Sequence, residues 1–356
     1  MDLLKEKIKA EALRLGFSFI GFSKPHQTPH FPQYKTWRQG SNPEELGYLS
    51  KMYVMDARKQ PSILLKNAHS VITLGITYPK QKDLYVLDNP GRKNIGQIAA
   101  YACLPDYHHW LKDRSRELIS FIKRIKSPSI NYRFFVDSGP VMEKDFAYLS
   151  GLGWIGTNSL FISPVFGSFC LLGCLFVDIE LQPDQPDETD VCGDCAICIK
   201  SCPTSAITEN RTIKASQCIS FLTTNYKGEI PVEQCEKIGN NVFGCDICQK
   251  VCPLNIKDSK FNLLQSNVLR PIIGNKIDLE SELFFSEEMF LAKYSKTPVA
   301  KLPFELFLRN LIIAIGNSGN KDLIVPLTKV FQDHPIPIIK AATAWAITSQ
   351  GSKETQ

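Results

Sequence analysis

Apolar residues follow two different spacings in the first half of the chain. Residues 1–16 and 106–126 place apolar side chains three or four positions apart, which predicts two amphipathic helices, the first ending at Gly16. Three apolar runs predict strands, the third of them a strand or a hairpin: residues 70–78, 132–136 and 168–178. A further helix is predicted from about Val141, and residues 17–47 look irregular. Strands that alternate with helices favour an α/β or α+β domain over residues 1–180.

The last part of the chain has helical spacing only. We predict helices over residues 304–316, ending at Gly316, and over 322–331 and 337–347. This arrangement is typical of a HEAT-like repeat, although a plain helical extension fits equally well. A single repeat cannot bury its own apolar face, so we expect these helices to dock on the rest of the chain. Residues 182–188 form a polar linker, which gives predicted domains at 1–182, 183–260 and 261–356.

Length, composition and charge narrow the class of protein. The 356 residues suffice for two or three domains, and 44% of them are hydrophobic. No apolar stretch reaches the roughly 18 residues that span a bilayer, so we expect no membrane association. The first nine residues alternate charged and apolar side chains without the apolar segment of a secretion signal, which favours a cytoplasmic location. The net charge of +5 permits a nucleic-acid partner, but surface lysines that are merely solvated explain it as well.

The twelve cysteines include two dense runs. The first run contains Cys192, Cys195, Cys198 and Cys202 before Pro203, in the C-x2-C-x2-C-x3-C-P spacing of bacterial ferredoxins. The second run contains Cys245, Cys248 and Cys252, and Cys218 lies between the two runs. Disulfides would require an oxidising compartment, and zinc sites use paired rather than triple C-x2-C units, so both alternatives fit less well.

Ligand sets for two [4Fe–4S] clusters follow from this spacing. In two-cluster ferredoxins the fourth cysteine of a run binds the other cluster. The first predicted set is Cys192, Cys195, Cys198 and Cys252. The second predicted set is Cys202, Cys218, Cys245 and Cys248, with Cys218 included because no cysteine is then used twice. The protein is therefore expected to move electrons one at a time. The other cysteines are expected to be buried free thiols: Cys103, Cys170, Cys174 and Cys235.

Three further segments are candidates for a site. Asp137 lies at the end of a predicted strand and before a helix, where ligands bind in open α/β sheets, although an aspartate there is more often a helix N-cap. Residues 151–156 contain a G-x-G-x-x-G string that follows a helix rather than a strand. A dinucleotide site is therefore disfavoured, and close backbone approach to another large cofactor fits better. Residues 106–111 partly resemble the Asp-x-His-x-x-Gly box of cobalt-ligating histidines, but without its glycine we expect His108 and His109 to be surface or core residues.

Taken together, four segments resemble the epoxyqueuosine reductase family. They are residues 136–143, 151–158, 218–224 and 243–249, and they accompany the ferredoxin-like cysteine runs. This family performs the last step of queuosine synthesis in tRNA, and its core is similar to that of reductive dehalogenases, which couple cobalamin to two [4Fe–4S] clusters. The resemblance implies an α+β core, α/β-like and cobalamin-binding, followed by a bacterial ferredoxin-like two-[4Fe–4S] domain and a C-terminal α-helical HEAT-like repeat.

The resemblance also implies a reaction and its residues. A low-potential electron donor would reduce the clusters, which would pass electrons to cobalt, and low-valent cobalt would attack the epoxide. Asp137 would be the proton donor to the opening oxygen, and burial near the corrin is expected to raise its pKa. The implied cobalamin-binding residues are Arg58, Asp137, Asn158, Ser220, Asp246 and Ile247. The last three alternate with cysteines of the second set, so that cluster would lie beside the corrin.

For the tRNA partner, we expect a surface around the cofactor and the C-terminal helices. Lys214, Tyr226 and Lys227 could bind phosphates or stack on an unpaired base, although solvated charge explains each of them equally well. Two positions depart from the family: Ala100 replaces a usual arginine and Thr157 a usual lysine. These departures affect expected contacts more than the reaction class. Family membership further implies a monomer.

Two other functions remain open at this point. One is a corrinoid reductive dehalogenase-like reductase of a small molecule, which the missing export signal and the helical tail disfavour. The other is an electron-transfer ferredoxin module fused to a binding domain, in which Asp137 and the glycine-rich segment would be purely structural.

Overall fold

The computed structural model describes residues 3–26, 28–40, 42–80, 94–137, 139–187, 189–256 and 269–352. Its α-helices are α1 (Leu3–Arg14), α2 (Phe31–Gln39), α3 (Met52–Lys59), α4 (Tyr107–Ile125), α5 (Glu143–Leu149), α6 (Ile197–Lys200), α7 (Ile219–Thr224), α8 (Val232–Ile238), α9 (Ile247–Lys250), α10 (Pro253–Ile256), α11 (Leu279–Leu283), α12 (Glu287–Tyr294), α13 (Phe304–Ser318), α14 (Ile324–Asp333) and α15 (Pro337–Ser352). Its strands are β1 (Phe19–Ser23), β2 (Ser70–Thr77), β3 (Ile95–Ile98), β4 (Tyr132–Phe135), β5 (Trp154–Ile155), β6 (Phe161–Ile162), β7 (Cys170–Val177), β8 (Asn241–Phe243) and β9 (Lys276–Asp278).

The main sheet has four strands in the order β1-β2-β7-β4. All three strand pairs in it are antiparallel, with Leu74 opposite Gly173 at the centre. Every residue of β2 is buried, which explains why its continuous apolar run was readable in the sequence. The third predicted segment is the single strand β7 and not a hairpin. Because the sheet is antiparallel, this region is α+β, and the rule for ligands at the ends of parallel strands does not apply to Asp137.

The prediction of an irregular segment over residues 17–47 is wrong. This segment contains β1, α2 and a 3-10 helix at Glu44–Ser50. β1 has only five residues and a glycine at its centre, so its alternation is too short to be distinctive. Gly21 is needed there because a Cβ atom would lie 2.6 Å from the Cβ of Ser150. Proline in the first turn of α2 was the available signal for that helix.

A second sheet joins distant parts of the chain. Its order is β8-β3-β9, with β3 parallel to β8 and antiparallel to β9. One strand therefore comes from each of the three predicted domains, and the division into domains stays a prediction. The boundary between residues 260 and 261 lies outside the described residues. The predicted linker is tied down by Asp184, which accepts hydrogen bonds from Lys5 Nζ (2.5 Å) and the Phe22 amide (2.9 Å).

The three C-terminal helices pack together, α15 against both α13 and α14. Gly316 does not end the first of them as predicted, because α13 continues to Ser318 and ends at Gly319, whose φ is +67°. Gly316 instead allows close packing, since a Cβ atom there would lie 2.7 Å from the Trp345 ring and 2.8 Å from the Ala346 Cα. The HEAT-like repeat stays a prediction. Within the described ranges, no helix combines the length and apolar character needed to cross a bilayer.

Candidate active site

The structure brings the eight predicted ligand cysteines into two groups, as α6 packs against α9. Burial raises the pKa of Cys252, and the neighbouring Cys192 and Cys195 thiols raise it further. Burial likewise raises the pKa of Cys245 to about 12, with added increases from Cys218 and Cys202. Each of these electrostatic effects links cysteines of one predicted set, which supports the ligand sets; the sets themselves stay a prediction.

Each predicted set has four cysteines, the number that a [4Fe–4S] cluster binds. In the described part of the chain, no three His, Cys, Asp or Glu side chains converge closely enough to hold one metal ion. The four cysteines of a cube bind four different irons, so they need not converge on one point. All twelve cysteines are described and none forms a disulfide; Cys103, Cys174 and Cys235 are buried and Cys170 is half-buried, as predicted for free thiols.

Hydrogen bonds reach the sulfur of two predicted ligands. Trp154 Nε1 donates to Cys192 Sγ at 3.4 Å, and the Ala206 amide donates to Cys202 Sγ at 3.4 Å. Such bonds favour the thiolate and shift the reduction potential of a bound cluster. Trp154 comes from the glycine-rich segment, and no motif in the sequence indicates this contact.

The two cysteine groups adjoin each other at Cys248. Burial raises the pKa of Cys248 well above its usual value, and Cys245 and Cys218 of its own group add to the increase, as does Cys198 of the other group. Two clusters bound at these groups would therefore be neighbours, which is the arrangement that a relay of single electrons requires.

Asp137 follows β4 with a left-handed backbone, φ +58°. Its Oδ2 accepts a short hydrogen bond from Tyr107 Oη and lies 3.5 Å from His108 Nε2. The side chain is 62% exposed, so it is open to a substrate on its other side. The N-cap alternative is wrong, because α5 begins only at Glu143 and Met142 precedes it. Ser138, the next residue, lies outside the described residues.

The first turn of α4 builds a charged network around Asp137. Asp106 caps this helix by accepting the His108 amide at 3.0 Å, and its Oδ1 lies 2.6 Å from His108 Nδ1. Lys301 Nζ lies 3.1 Å from Asp106 Oδ2 and 2.8 Å from His108 Nδ1. The prediction that His108 is an ordinary surface or core residue is therefore wrong, because the ring bridges two carboxylates. The Asp-x-His pattern at a helix start was the only local signal.

This network lowers the pKa of Asp137 and raises the pKa of His108. Burial alone would raise the pKa of Asp137, but hydrogen bonds from His108 and Tyr107 hold that pKa below its usual value. Burial alone would lower the pKa of His108, but its hydrogen bonds to Asp137 and Asp106 raise that pKa above its usual value. In the chain alone the pKa of Asp137 is therefore lowered, and an increase caused by burial beside the corrin stays a prediction. The carboxylate is ionised at neutral pH, next to an imidazole that gains a proton readily.

Asp246 is a second carboxylate whose charge acts on Tyr101. Burial, then the charges of Asp137 and Asp246, raise the pKa of Tyr101 beyond its ordinary range. Asp246 is 3% exposed, and its oxygens accept the Ala100 amide at 2.7 Å and Gln249 Nε2 at 3.3 Å. Its carboxylate is therefore already engaged within the chain, and the departure at Ala100 lies directly beside it.

A cavity of about 650 Å³ adjoins this region, lined in part by Arg58, Glu143, Ile155 and Ser159. Two enclosed polar atoms, Arg58 Nε and Glu143 Oε1, have no hydrogen-bond partner among the residues that the structure describes. Burial and the nearby charge of Asp137 raise the pKa of Glu143 to about 8. Asn158 is buried next to this wall, and its Oδ1 accepts the Leu160 amide at 3.2 Å. Ser220, Asp246 and Ile247 do not line this cavity.

The glycine-rich segment packs against the chain itself. A Cβ atom at Gly151, where φ is +66°, would lie 2.4 Å from the Gln185 carbonyl oxygen. At Gly153 it would lie 2.0 Å from the Ile162 carbonyl oxygen. Close packing within the chain thus explains these two glycines, and close approach of this segment to a large cofactor stays a prediction.

The predicted tRNA-binding residues lie on two surface loops. Lys214 and Lys227 are exposed and Tyr226 is half-buried. Both loops touch the N-terminal part of the chain: the Lys227 amide donates to Glu45 Oε1 at 2.9 Å, and Trp37 Nε1 donates to the Ile213 carbonyl at 2.7 Å. They remain candidates for a basic rim.

Comparison with protein families defines the class first. Residues 191–255 match the family described as "4Fe-4S double cluster binding domain". With the proton-carrying side chains of Tyr107, His108 and Asp137 nearby, this domain indicates an iron–sulfur oxidoreductase. Residues 58–138, which include Arg58 and Asp137, match the family described as "Epoxyqueuosine reductase QueG, DUF1730".

Whole-chain relatives then give the family. The chain is 33% identical over 354 residues to the epoxyqueuosine reductase of Escherichia coli K12, covering 98% of this chain and 90% of the relative. It is 35% identical over 326 residues to that of Vibrio cholerae, covering 90% of this chain and 85% of the relative. This chain belongs to the epoxyqueuosine reductase family.

Solved structures of the family share the fold. A crystal structure of epoxyqueuosine reductase with an epoxyqueuosine-modified tRNA-Tyr stem loop aligns with a TM-score of 0.85 and 30% identity, covering 98% of this chain and 90% of that one. The Bacillus subtilis enzyme, described with its catalytic aspartate loop swung out of the active site, aligns with the same TM-score, identity and coverage.

Proposed function

We propose that this chain reduces epoxyqueuosine to queuosine at the wobble position of tRNA, the last step of queuosine biosynthesis, with two [4Fe–4S] clusters and cobalamin. The observation that carries the proposal is the placement of Asp137, bonded to Tyr107 and close to His108, in a chain whose eight ligand-type cysteines form two adjoining groups. The family relatives named for this reaction, one of them bound to a modified tRNA stem loop, support it.

The reaction needs two electrons and two protons. Both carbon–oxygen bonds of the epoxide break, its oxygen leaves as water, and the cyclopentene double bond remains. The first cluster set is Cys192, Cys195, Cys198 and Cys252, and the second is Cys202, Cys218, Cys245 and Cys248. Because each cluster carries one electron at a time, two transfers from a low-potential donor complete one turnover.

One observation supports a polar ligand beside Arg58. Among the described residues, Arg58 Nε and Glu143 Oε1 are enclosed at the cavity without a hydrogen-bond partner, and a ligand with amide and phosphate groups would satisfy both. Of the residues that the family resemblance assigns to cobalamin, Arg58 is the one that lines this cavity. By family resemblance, the holding residues are Arg58, Asp137, Asn158, Ser220, Asp246 and Ile247. When bound, cobalamin supplies a low-valent metal centre able to break a carbon–oxygen bond.

Asp137 passes protons to the epoxide oxygen. Its carboxylate is ionised in the resting site, so the proton comes from protonated His108 Nε2, which lies 3.5 Å away. Because the pKa of Asp137 is lowered and that of His108 is raised, this proton moves through the carboxyl group only as the opening epoxide oxygen accepts it. The hydrogen bond from Tyr107 holds the carboxyl group in place during this transfer. Distances of this length in a ligand-free site often shorten when substrate binds.

The remaining features of the proposal concern partners and organisation. Lys214, Tyr226 and Lys227 bind the anticodon arm, through phosphates and by stacking. The chain divides into a cobalamin-binding core (1–182), a ferredoxin-like domain (183–260) and a HEAT-like domain (261–356). It works as a cytoplasmic monomer, with no membrane partner.

Reconstituted turnover tests the proposal. The protein is purified without oxygen, supplied with cobalamin and a low-potential reductant, and incubated with tRNA that carries epoxyqueuosine. Loss of one oxygen from the modified nucleoside, measured by mass spectrometry and dependent on both cobalamin and intact clusters, is the expected result. Bound clusters and corrin with an untouched epoxide would contradict it and would favour a small-molecule reductase.

A further inference from the structure

Arg309 is a buried cation in α13 with all of its donors used. It is 1% exposed, and within the described ranges no carboxylate forms an ion pair with it. Its Nη1 donates to the carbonyls of Tyr226 (2.9 Å) and Gly228 (2.6 Å), and one Nη2 bond reaches the carbonyl of Leu222 (2.9 Å). Its Nε and Nη2 also donate to Asn310 Oδ1, at 3.0 and 2.8 Å. These five bonds account for the five N–H donors of an arginine.

Asn310 continues the same contact. It is fully buried, and its Nδ2 donates to the carbonyls of Thr223 (2.8 Å) and Val242 (3.0 Å). The last carbonyls of a helix have no partner within the helix, and cationic or amide donors there stabilise its end. The two α13 side chains therefore cap the C-terminal end of α7.

The capped helix connects one cluster set to the candidate tRNA loop. α7 begins directly after Cys218, and its Thr223 Oγ1 accepts the Gly244 amide at 3.0 Å, next to the second cysteine run. The loop that leaves α7 carries Tyr226 and Lys227. The conformation of this loop therefore depends on hydrogen bonds from the Arg309 and Asn310 side chains of α13.

We propose that Arg309 and Asn310 are positioning residues that hold the Tyr226–Gly228 loop in the conformation that binds tRNA. The inference rests on the proposed function, because it takes Tyr226 and Lys227 as contacts to the RNA. A loop held before binding loses less conformational entropy when the RNA arrives, so its restraint appears as affinity. The C-terminal helices then act on the substrate through this loop.

The central variant is Arg309→Lys, which keeps the charge but offers three donors from a single atom. It cannot reach the carbonyls of Tyr226, Gly228 and Leu222 together. Binding of an epoxyqueuosine-bearing tRNA stem loop and steady-state turnover are measured on the cluster-loaded protein. We expect Kd and KM to rise about tenfold, the cost of ordering roughly one further residue, while kcat stays within about threefold and the iron content is unchanged.

Asn317→Ala is the matched control in the same helix. Asn317 Nδ2 also donates to two carbonyls, those of Cys235 (2.8 Å) and Gly239 (2.9 Å), but these lie at α8 and away from the candidate loop. Its loss is expected to lower Tm without changing Kd for the stem loop. Equal losses of Tm in the two variants with no change in either Kd would overturn the inference, since a merely structural role predicts that outcome.

Two further variants separate the inference from the proposed function. Lys227→Ala tests the RNA contact directly. If the Lys227→Ala variant binds the stem loop more weakly and the Arg309→Lys variant binds it as before, only the positioning role is refuted. Unchanged binding in both variants contradicts the proposed tRNA surface as well. If Arg309→Lys does not fold, Asn310→Ala carries the test. It removes the bonds to Thr223 and Val242 and the oxygen that accepts from Arg309 Nε and Nη2, and it leaves the Arg309 bonds to the Tyr226 and Gly228 carbonyls. A smaller rise in Kd is then expected, and none would refute the role.

Discussion

Replacing Asp137 with asparagine separates proton transfer from every structural role of this residue. The backbone at this position has φ +58°, a conformation that asparagine and aspartate tolerate better than other side chains with a Cβ atom. Asparagine also keeps a side-chain oxygen that can accept the hydrogen bond from Tyr107 Oη. Alanine would remove that acceptor and add roughly 1–2 kcal/mol of backbone strain, so its effect on turnover could not be assigned to chemistry.

The size of the effect follows from the role. A positioned general acid accelerates a reaction by about 10²–10⁴-fold, which equals about 2.7–5.4 kcal/mol of activation free energy. Because the carboxylate is 62% exposed and is held by Tyr107 and His108, its replacement by an amide of the same shape leaves the packing around it intact. We therefore expect kcat of Asp137→Asn to fall by that factor, while KM for the tRNA changes little.

The assay is single turnover of epoxyqueuosine in tRNA under anaerobic conditions, with the protein fully reduced beforehand. The absorption spectra of the clusters and of added cobalamin serve as controls and should match those of the unmodified protein. Turnover within a few-fold of the original rate would refute the proton-transfer role of Asp137. It would also revive the interpretation of this segment as structural, as in a pure electron carrier.

Further changes test other parts of the structure. Asp106→Asn keeps the cap on α4, since asparagine caps as well as aspartate, but it removes a carboxylate that raises the pKa of His108. The alkaline limb of the pH–rate profile should therefore move to lower pH. An unmoved limb would exclude His108 as the proton source. Cys218→Ser should halve the iron content whereas Cys235→Ser should not change it, and equal iron in both variants would contradict the ligand sets. Gly316→Ala should lower the free energy of unfolding by about 1–3 kcal/mol, because the new Cβ would lie 2.8 Å from the backbone of the facing helix. This loss should outweigh the better helix propensity of alanine. Unchanged or higher stability in denaturant melts would contradict this packing.

Elements with strong periodicity could be predicted from the sequence. The helix predicted over residues 106–126 is α4 at Tyr107–Ile125, and the run at 70–78 is the fully buried β2. Both owe their pattern to continuous burial of one face or of both faces. β1 could not be predicted in the same way, because five residues with a central glycine carry little periodicity and gain their stability from pairing with β2.

The cysteine sets can be predicted from short sequence motifs, whereas the hydrogen-bonded network around His108 joins residues far apart in the chain. Three ligands of the first predicted cluster and two of the second come from one short run each, so spacing alone identifies most of them. Lys301 and His108, in contrast, are 193 positions apart in the chain, and only the docking of the C-terminal segment on α4 brings them together. No local sequence pattern includes both residues. The role of His108 in this network therefore cannot be predicted from the sequence around it.

The same distinction governs what could be known of Asp137. Its identity as a carboxyl group and its place after a strand are visible in the sequence, but its protonation state is not. That state depends on Tyr107 and His108, which approach from another helix and hold the pKa of the carboxyl group down instead of up. A carboxylate that is ionised at rest can donate a proton only after receiving one, so the proton supply must include His108. The proton donor is therefore the pair of Asp137 and His108, and naming Asp137 alone omits the residue that supplies its proton.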